Sequence, residues 1–80
     1  MIIEKMQYDK LGKYIKNKRV NMSKTLNSFA IENDIEPAIL SRIENLKQDI
    51  KLNVLVKISY GFGMTPAEFL LEFENQMNLN

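Results

Sequence analysis

Eighty residues leave room for one domain, read here as 1–80 with a core from about residue 8 to residue 73, and a core of that size is only marginally stable without help. With no cysteine and no histidine, disulfides, the usual zinc sites and Ser-His or Cys-His nucleophile pairs are excluded, and neither a metal nor a cofactor is expected. The net charge of +1 is unevenly spread: residues 1–24 carry seven Lys/Arg against two acids, residues 25–63 four against five, and residues 64–80 none against three. Such a distribution is either a basic face offered to a polyanion with an acidic end held away from it, or a solvated basic helix and an acidic tail.

No apolar run is long enough to span a bilayer, and the first ten residues lack the apolar region of a signal peptide, so no membrane contact and a cytoplasmic location are expected. Strand signals are nearly absent and apolar residues recur at helical spacing throughout, which predicts an all-α fold. The first helix is predicted from about Gln7 to Val20, with Leu11, Ile15, Tyr8 and Tyr14 on its inner side and Gly12 where a neighbouring helix needs close approach. The stretch "NMSKT" breaks it. Thr25 or Ser23 can cap a second helix that runs to about Glu32 and turns Leu26, Phe29 and Ala30 inward.

A sharp corner follows at "NDIE". Pro37 has no backbone N–H to lose, so it fits the first turn of a third helix that starts near Glu36 and runs to about Asn45 with Leu40 and Ile43 inward. After a loop, "LKQDIK", the fourth helix is predicted from about Leu52 to Tyr60, burying Leu52, Leu55, Val56 and Ile58. "GFGM" stops it, with Gly61 or Gly63 in the left-handed conformation. In "TPAE", Thr65 is an N-cap, Pro66 the first helical residue and Glu68 the partner in a capping box. The fifth helix runs from there to about Gln76, and "MNLN" is expected to fray.

Two short helices joined by so tight a corner are a helix-turn-helix arrangement. Its packing asks for a small residue where the helices meet, a turn residue that tolerates positive φ, and an apolar anchor after it. Ala30, Asp34 (or Asn33) and Ile35 meet those needs, and Leu40 and Ile43 supply the inward side of the second helix of the pair.

With those residues in place, "LGKYIKNKR…FAIENDIEPAILSRIE" resembles the Cro and phage-repressor helix-turn-helix family, also called the XRE type. The likeness continues through "KQDIKLNVLVKI" and "GFGMTPAEFL" and covers Leu11 to Leu71 without a gap. Its most specific parts are the Gly12, Ile15, Arg19 spacing, the Ala30 to Ser41 spacing and "SRIE". The resemblance implies a compact five-helix domain of the lambda-repressor-like type that binds duplex DNA, usually as a dimer. The sequence departs from the family at several points. Leu26 stands where a polar, phosphate-touching residue is usual, Asp34 at the turn glycine, and Glu36 at a Ser-type cap. Leu46 stands at the glycine after the third helix, and Ile50 at a common proline.

Carried onto this chain, the resemblance turns the helix 36–45 into the recognition helix, with its N-terminal part in the major groove. Pro37, Ala38, Ser41 and Arg42 then face base edges, and Ile39 is within reach of them. Arg42 suits the O6 and N7 of guanine, although a phosphate clamp or a solvated arginine beside Glu44 is the alternative. Ala38 or Ile39 suits a thymine methyl. Glu36 either accepts from a cytosine N4 or simply caps its helix. Phosphate contacts are expected from Thr25, Asn27, Asn45, Lys47 and Gln48, with Lys18 and Lys24 as further candidates.

Arg19 and Glu44 are expected to form a structural ion pair tying the first helix to the end of the third. Phe69, Leu70, Phe73 and Met77 make a stripe wide enough that Phe69, Phe73 and Met77 are expected to form a dimer seam as well as core.

The reading is a sequence-specific double-stranded DNA-binding transcriptional regulator, a repressor on a palindromic operator, acting as a homodimer and not an enzyme. Glu32, Asp34 and Glu36, the only acidic cluster on the corner, have no convergent base or nucleophile. The alternative is a protein-interaction module, such as an antitoxin that keeps the fold with weak DNA binding and takes a toxin or phage factor as partner. Salt-dependent affinity for DNA separates the two. Phage repressor, operon controller, antitoxin and stress regulator all remain open as settings.

Overall fold

A computed structural model describes residues 10–45 and 47–79. In chain order the helices are α1 (Leu11–Asn21), α2 (Leu26–Glu32), α3 (Pro37–Glu44), α4 (Leu52–Gly61) and α5 (Pro66–Leu79). The expected start of the first helix at Gln7, with Tyr8, lies outside the described residues. The described part of α1 opens at Leu11 with Lys10 before it. At the other end α5 continues past Gln76 to Leu79, so Met77 and the two residues after it are helical where fraying was expected.

Three of these helices end in the same way. In α1, Ser23 N–H donates to Val20 O at 2.9 Å and Lys24 N–H to Arg19 O at 3.4 Å. In α2, Asp34 N–H donates to Ile31 O at 3.3 Å and Ile35 N–H to Ala30 O at 2.8 Å. In α4, Gly63 N–H donates to Tyr60 O at 2.9 Å and Met64 N–H to Ser59 O at 3.0 Å. Each pair of bonds satisfies carbonyls the helix leaves open and needs one left-handed residue just past the cap. Those residues are Ser23 (φ 60), Asp34 (φ 57) and Gly63 (φ 73). Gly63 rather than Gly61 is therefore the stop of α4, and Ser23 serves the end of α1. Thr25 caps α2, its Oγ1 accepting from Ser28 N–H at 3.1 Å. At α5 the capping box forms in both directions: Thr65 N–H donates to Glu68 Oε1 at 2.9 Å, and Glu68 N–H to Thr65 Oγ1 at 3.1 Å.

The core gathers Leu11, Tyr14 and Ile15 from α1, Phe29 and Ala30 from α2, Ile35 from the corner, Leu40 and Ile43 from α3, Val54 and Ile58 from α4, and Phe69 and Phe73 from α5. Aromatic rings tie α5 to the rest. Tyr14 lies 5.7 Å from Phe69 and 5.4 Å from Phe73, and Phe62 lies 4.8 Å from Phe29 and 5.8 Å from Phe69.

The inward face of α4 differs from the expected one. Leu52 is 73 % exposed, Leu55 and Val56 are half-buried, and Val54, Ile58 and Ser59 are the buried residues. At about 100° per residue, Leu52 points about 160° away from Val54 and about 120° from Ile58, well off their shared face, and it stands in the opening turn of the helix. The buried Ser59 hydroxyl donates to Leu55 O at 2.8 Å, which removes the cost of enclosing it.

The expected dimer seam also needs correction. Phe69 and Phe73 are fully enclosed in the chain's own core, so neither side chain is available to a second copy, whereas Met77 is half-buried. The stripe is wide because α5 must face α1 and α4 together.

Candidate nucleic-acid interface

The corner between α2 and α3 is built from short-range choices. Asp34 takes the left-handed position and so reverses the chain. Ile35, buried, follows at once and packs in the core with Phe29 and Ala30. Glu36 then holds extended dihedrals (φ −66, ψ 126) as the N-cap of α3, and Pro37 is the first helical residue. The Glu36 carbonyl accepts from Ile39 and Leu40 N–H at 3.0 and 3.2 Å, but its carboxylate makes no capping bond and is exposed.

One side of α3 is locked inward. Leu40 and Ile43 are buried against α1 and α2, and Glu44 is buried beside them. The other side presents Ala38 and Arg42, both exposed, with Ser41 half-buried next to them. Ala38, Ser41, Arg42 and Asn45 are three or four residues apart and so share one face. Pro37 is half-buried at the start of the helix. Ile39 packs partly against the core, so only part of its side chain belongs to this face.

The residues expected at phosphates are scattered around the ends of the two helices. Thr25 and Asn27 are exposed at the start of α2. Asn45 closes α3, its Nδ2 donating to Ser41 O at 2.8 Å. Lys47 is exposed and Gln48 half-buried just beyond, with Lys47 N–H bonded to Arg42 O at 2.8 Å. The two further lysine candidates are occupied. Lys18 donates to Glu72 Oε1 at 2.7 Å and lies over the Phe62 ring, 5.4 Å from its centroid. Lys24 pairs with Glu32 at 2.5 Å. The acidic last helix and the basic first helix therefore meet rather than stand apart. Glu72 also accepts from the Tyr14 hydroxyl, and its carboxyl is held below the usual range by Lys18 and then by Tyr14. Burial, with the Glu72 bond added, pushes the Tyr14 hydroxyl up.

Behind this surface the Arg19–Glu44 pair forms. Arg19 Nε donates to Glu44 Oε2 at 2.8 Å and Nη2 to Oε1 at 2.9 Å, a two-pronged contact between groups that are each 6 % exposed. Arg19 Nη1 donates to Lys24 O at 2.8 Å, just before the cap of α2. One guanidinium thus joins the ends of α1 and α3 to the start of α2, and its bonds to Glu44 raise its already high pKa. No buried side-chain polar atom among the described residues lacks a partner. No group of three or more acidic residues among them converges on a possible metal position.

The contacts that local sequence reasoning missed are those of Lys18, Lys24 and Lys57. Lys18 and Lys57 bridge elements 54 and 23 residues apart, and Lys24 spans α2 to reach Glu32 eight residues on, so no three- or four-residue spacing within one helix announces these pairs.

A scan against protein-family models returns no match. A curated relative, "Control protein C.MunI" from a Mycoplasma species, is 31 % identical over 72 residues, covering 90 % of this chain and 95 % of its own. Among solved structures, that of the clp gene regulator ClgR from Corynebacterium glutamicum superposes with a TM-score of 0.74 at 23 % identity, covering 91 % of this chain and 78 % of that one. The structural match establishes the five-helix fold, and the relative, aligned over almost its whole length, establishes the kinship. By its corner, its core and this kinship, the chain belongs to the Cro/phage-repressor (XRE) family of helix-turn-helix DNA-binding transcriptional regulators, which are not enzymes.

Proposed function

We propose that this regulator reads a palindromic operator through the outward face of α3 and represses transcription from it in the cytoplasm. The single observation that carries the reading is that face itself. Ala38, Ser41 and Arg42 are presented together on a helix whose other side is fixed in the core. Arg42 is the one long donor on it, suited to the O6 and N7 of guanine. Pro37 and the free part of Ile39 border it, and Thr25, Asn27, Asn45, Lys47 and Gln48 are assigned to the flanking phosphates. The Mycoplasma relative is a control protein by name, which favours an operon-controller setting for this chain.

Two substitutions test the assignment. Arg42→Ala is expected to cost about 1–3 kcal/mol of binding and to relax preference at one base pair of each half-site. Lys47→Ala is expected to weaken binding to all sequences alike and to reduce the log–log salt slope by about one unit. Affinities for single-base variants of a selected duplex, measured at two salt concentrations, separate the roles. An Arg42→Ala chain that loses affinity equally for every variant makes Arg42 a phosphate clamp.

The DNA-bound form is proposed to be a two-fold homodimer reading half-sites on the order of 34 Å apart, one helical turn. With Phe69 and Phe73 enclosed, the seam falls to Met77 with the half-buried Leu70 and the exposed Leu71. Sedimentation on a selected duplex is expected to give two chains per site. One chain per site at saturation overturns the dimer.

The exposed, uncapped carboxylate of Glu36 beside this face favours the second reading, a module whose main contact is a protein such as a toxin or phage factor. DNA affinity that is weak and nearly independent of salt would support it.

A further inference from the structure

We propose that Lys57, on α4, is a positioning residue for the recognition helix: it braces the turn before α3 and so governs base discrimination without touching the bases. The inference rests on the DNA-reading function above. The turn depends on Asp34 holding a left-handed conformation that an L side chain disfavours, where glycine would hold it freely. The bonds from Asp34 N–H and Ile35 N–H that close α2 hold it there, and a side-chain contact adds to them. Lys57 Nζ donates to the Asp34 backbone carbonyl at 2.9 Å and lies 3.5 Å from the Asp34 carboxylate. The Lys18 and Lys24 ammonium groups, by contrast, donate to carboxylates.

A second contact from the same helix acts on the preceding residue. Gly61 lies one turn after Lys57 and so on the same face of α4. A Cβ placed on Gly61 would sit 2.8 Å from Cγ of Asn33. Asn33 cannot easily swing aside, because its Nδ2 is bonded to Phe29 O at 2.8 Å. Thus α4 approaches Asn33, the C-cap of α2, closely at Gly61 and bonds through Lys57 to Asp34, the left-handed residue that follows. Glu36 starts α3 two residues later. Leu40 and Ile43 fix the body of α3 in the core, so a rotation at Asp34 is felt first at the start of the helix, where Pro37 and Ala38 stand.

An exposed ion pair of this kind adds little to global stability. Its effect falls on how often the turn holds the geometry that suits the groove, which changes discrimination more than folding.

The test uses the full chain and a duplex that the wild type enriches from a randomised library, with a scrambled duplex of the same composition as control. Lys57→Met keeps the aliphatic stem and removes the donor. It is expected to weaken binding to the selected duplex about three- to tenfold, the scale of one exposed hydrogen bond. Binding to the scrambled duplex and the salt slope are expected to stay unchanged, and Lys57→Arg is expected to retain affinity. Adding Asp34→Gly to Lys57→Met is expected to restore most of the loss, because glycine holds the turn without a brace. In the free protein, amide resonances of Asp34, Ile35 and Glu36 should shift on Lys57→Met while the thermal midpoint barely moves.

Equal losses on both duplexes with a shallower salt slope make Lys57 a phosphate contact and overturn the proposal. So does an unchanged selected-duplex affinity, or a double variant that binds no better than Lys57→Met. A wild type that enriches no duplex overturns the DNA reading itself, and this inference with it.

Discussion

Arg19→Ala is expected to destabilise the fold by roughly 3–5 kcal/mol, the range for removing one partner of a buried ion pair. The size follows from what is left behind. Glu44 is 6 % exposed and accepts two bonds, at 2.8 and 2.9 Å, both from Arg19. Without the guanidinium its carboxylate is enclosed with no donor, and Lys24 O loses its bond from Nη1 as well. A domain of this size has only about 5–10 kcal/mol in hand, so the variant is expected to lose a large part of its stability. The pair itself is worth far less than the loss suggests, since a well-packed apolar replacement of both residues is often neutral. Arg19→Met with Glu44→Leu should therefore recover much of what Arg19→Ala loses. Chemical denaturation of the two single variants and the pair measures this, and a coupling energy near zero would falsify the tie between α1 and α3.

Phe69→Ala is expected to cost a further roughly 3–5 kcal/mol in its own right, the usual figure for truncating an enclosed phenylalanine. Phe69 is fully buried between Tyr14, at 5.7 Å, and Phe62, at 5.8 Å and nearly parallel. Its removal opens a cavity at the point where α1, α4 and α5 meet, and the neighbouring rings are too constrained to fill it. Because the residue belongs to one chain's core, the loss should be the same at low and high protein concentration. A Phe69→Ala chain whose dilute form melts normally, and which only fails to self-associate, would return Phe69 to the dimer seam.

The helix-turn-helix corner was legible because its requirements are local. Thr25, Asp34 and Pro37 act on backbone atoms within one turn of themselves, so each declares its conformation from its own chemistry. The same holds for the box formed by Thr65 and Glu68. Arg19 and Glu44 are a different case. Their pairing spans 25 residues, and only the family resemblance pointed to it.

The surface residues assigned to DNA came from the family resemblance, applied by position to α3 and to the ends of its neighbours, and Ala38 and Arg42 are exposed. What each touches is set by a partner outside the chain.

The sequence by itself determined that this protein is a bundle of short helices with a tight corner before a helix begun by proline, and which residues of that corner turn inward. Periodicity and capping suffice for this, since both are written within a few residues. Only the tertiary structure decided how the stripes meet. Phe69 and Phe73 are enclosed within their own chain, and Val54 is enclosed in place of Leu52. Lys18 closes on Glu72, and Lys57 on the turn at Asp34. A helix pattern gives the direction of each side chain about its own axis. Its partner depends on the crossing and offset of helices distant in sequence, which the summed packing of the whole core settles.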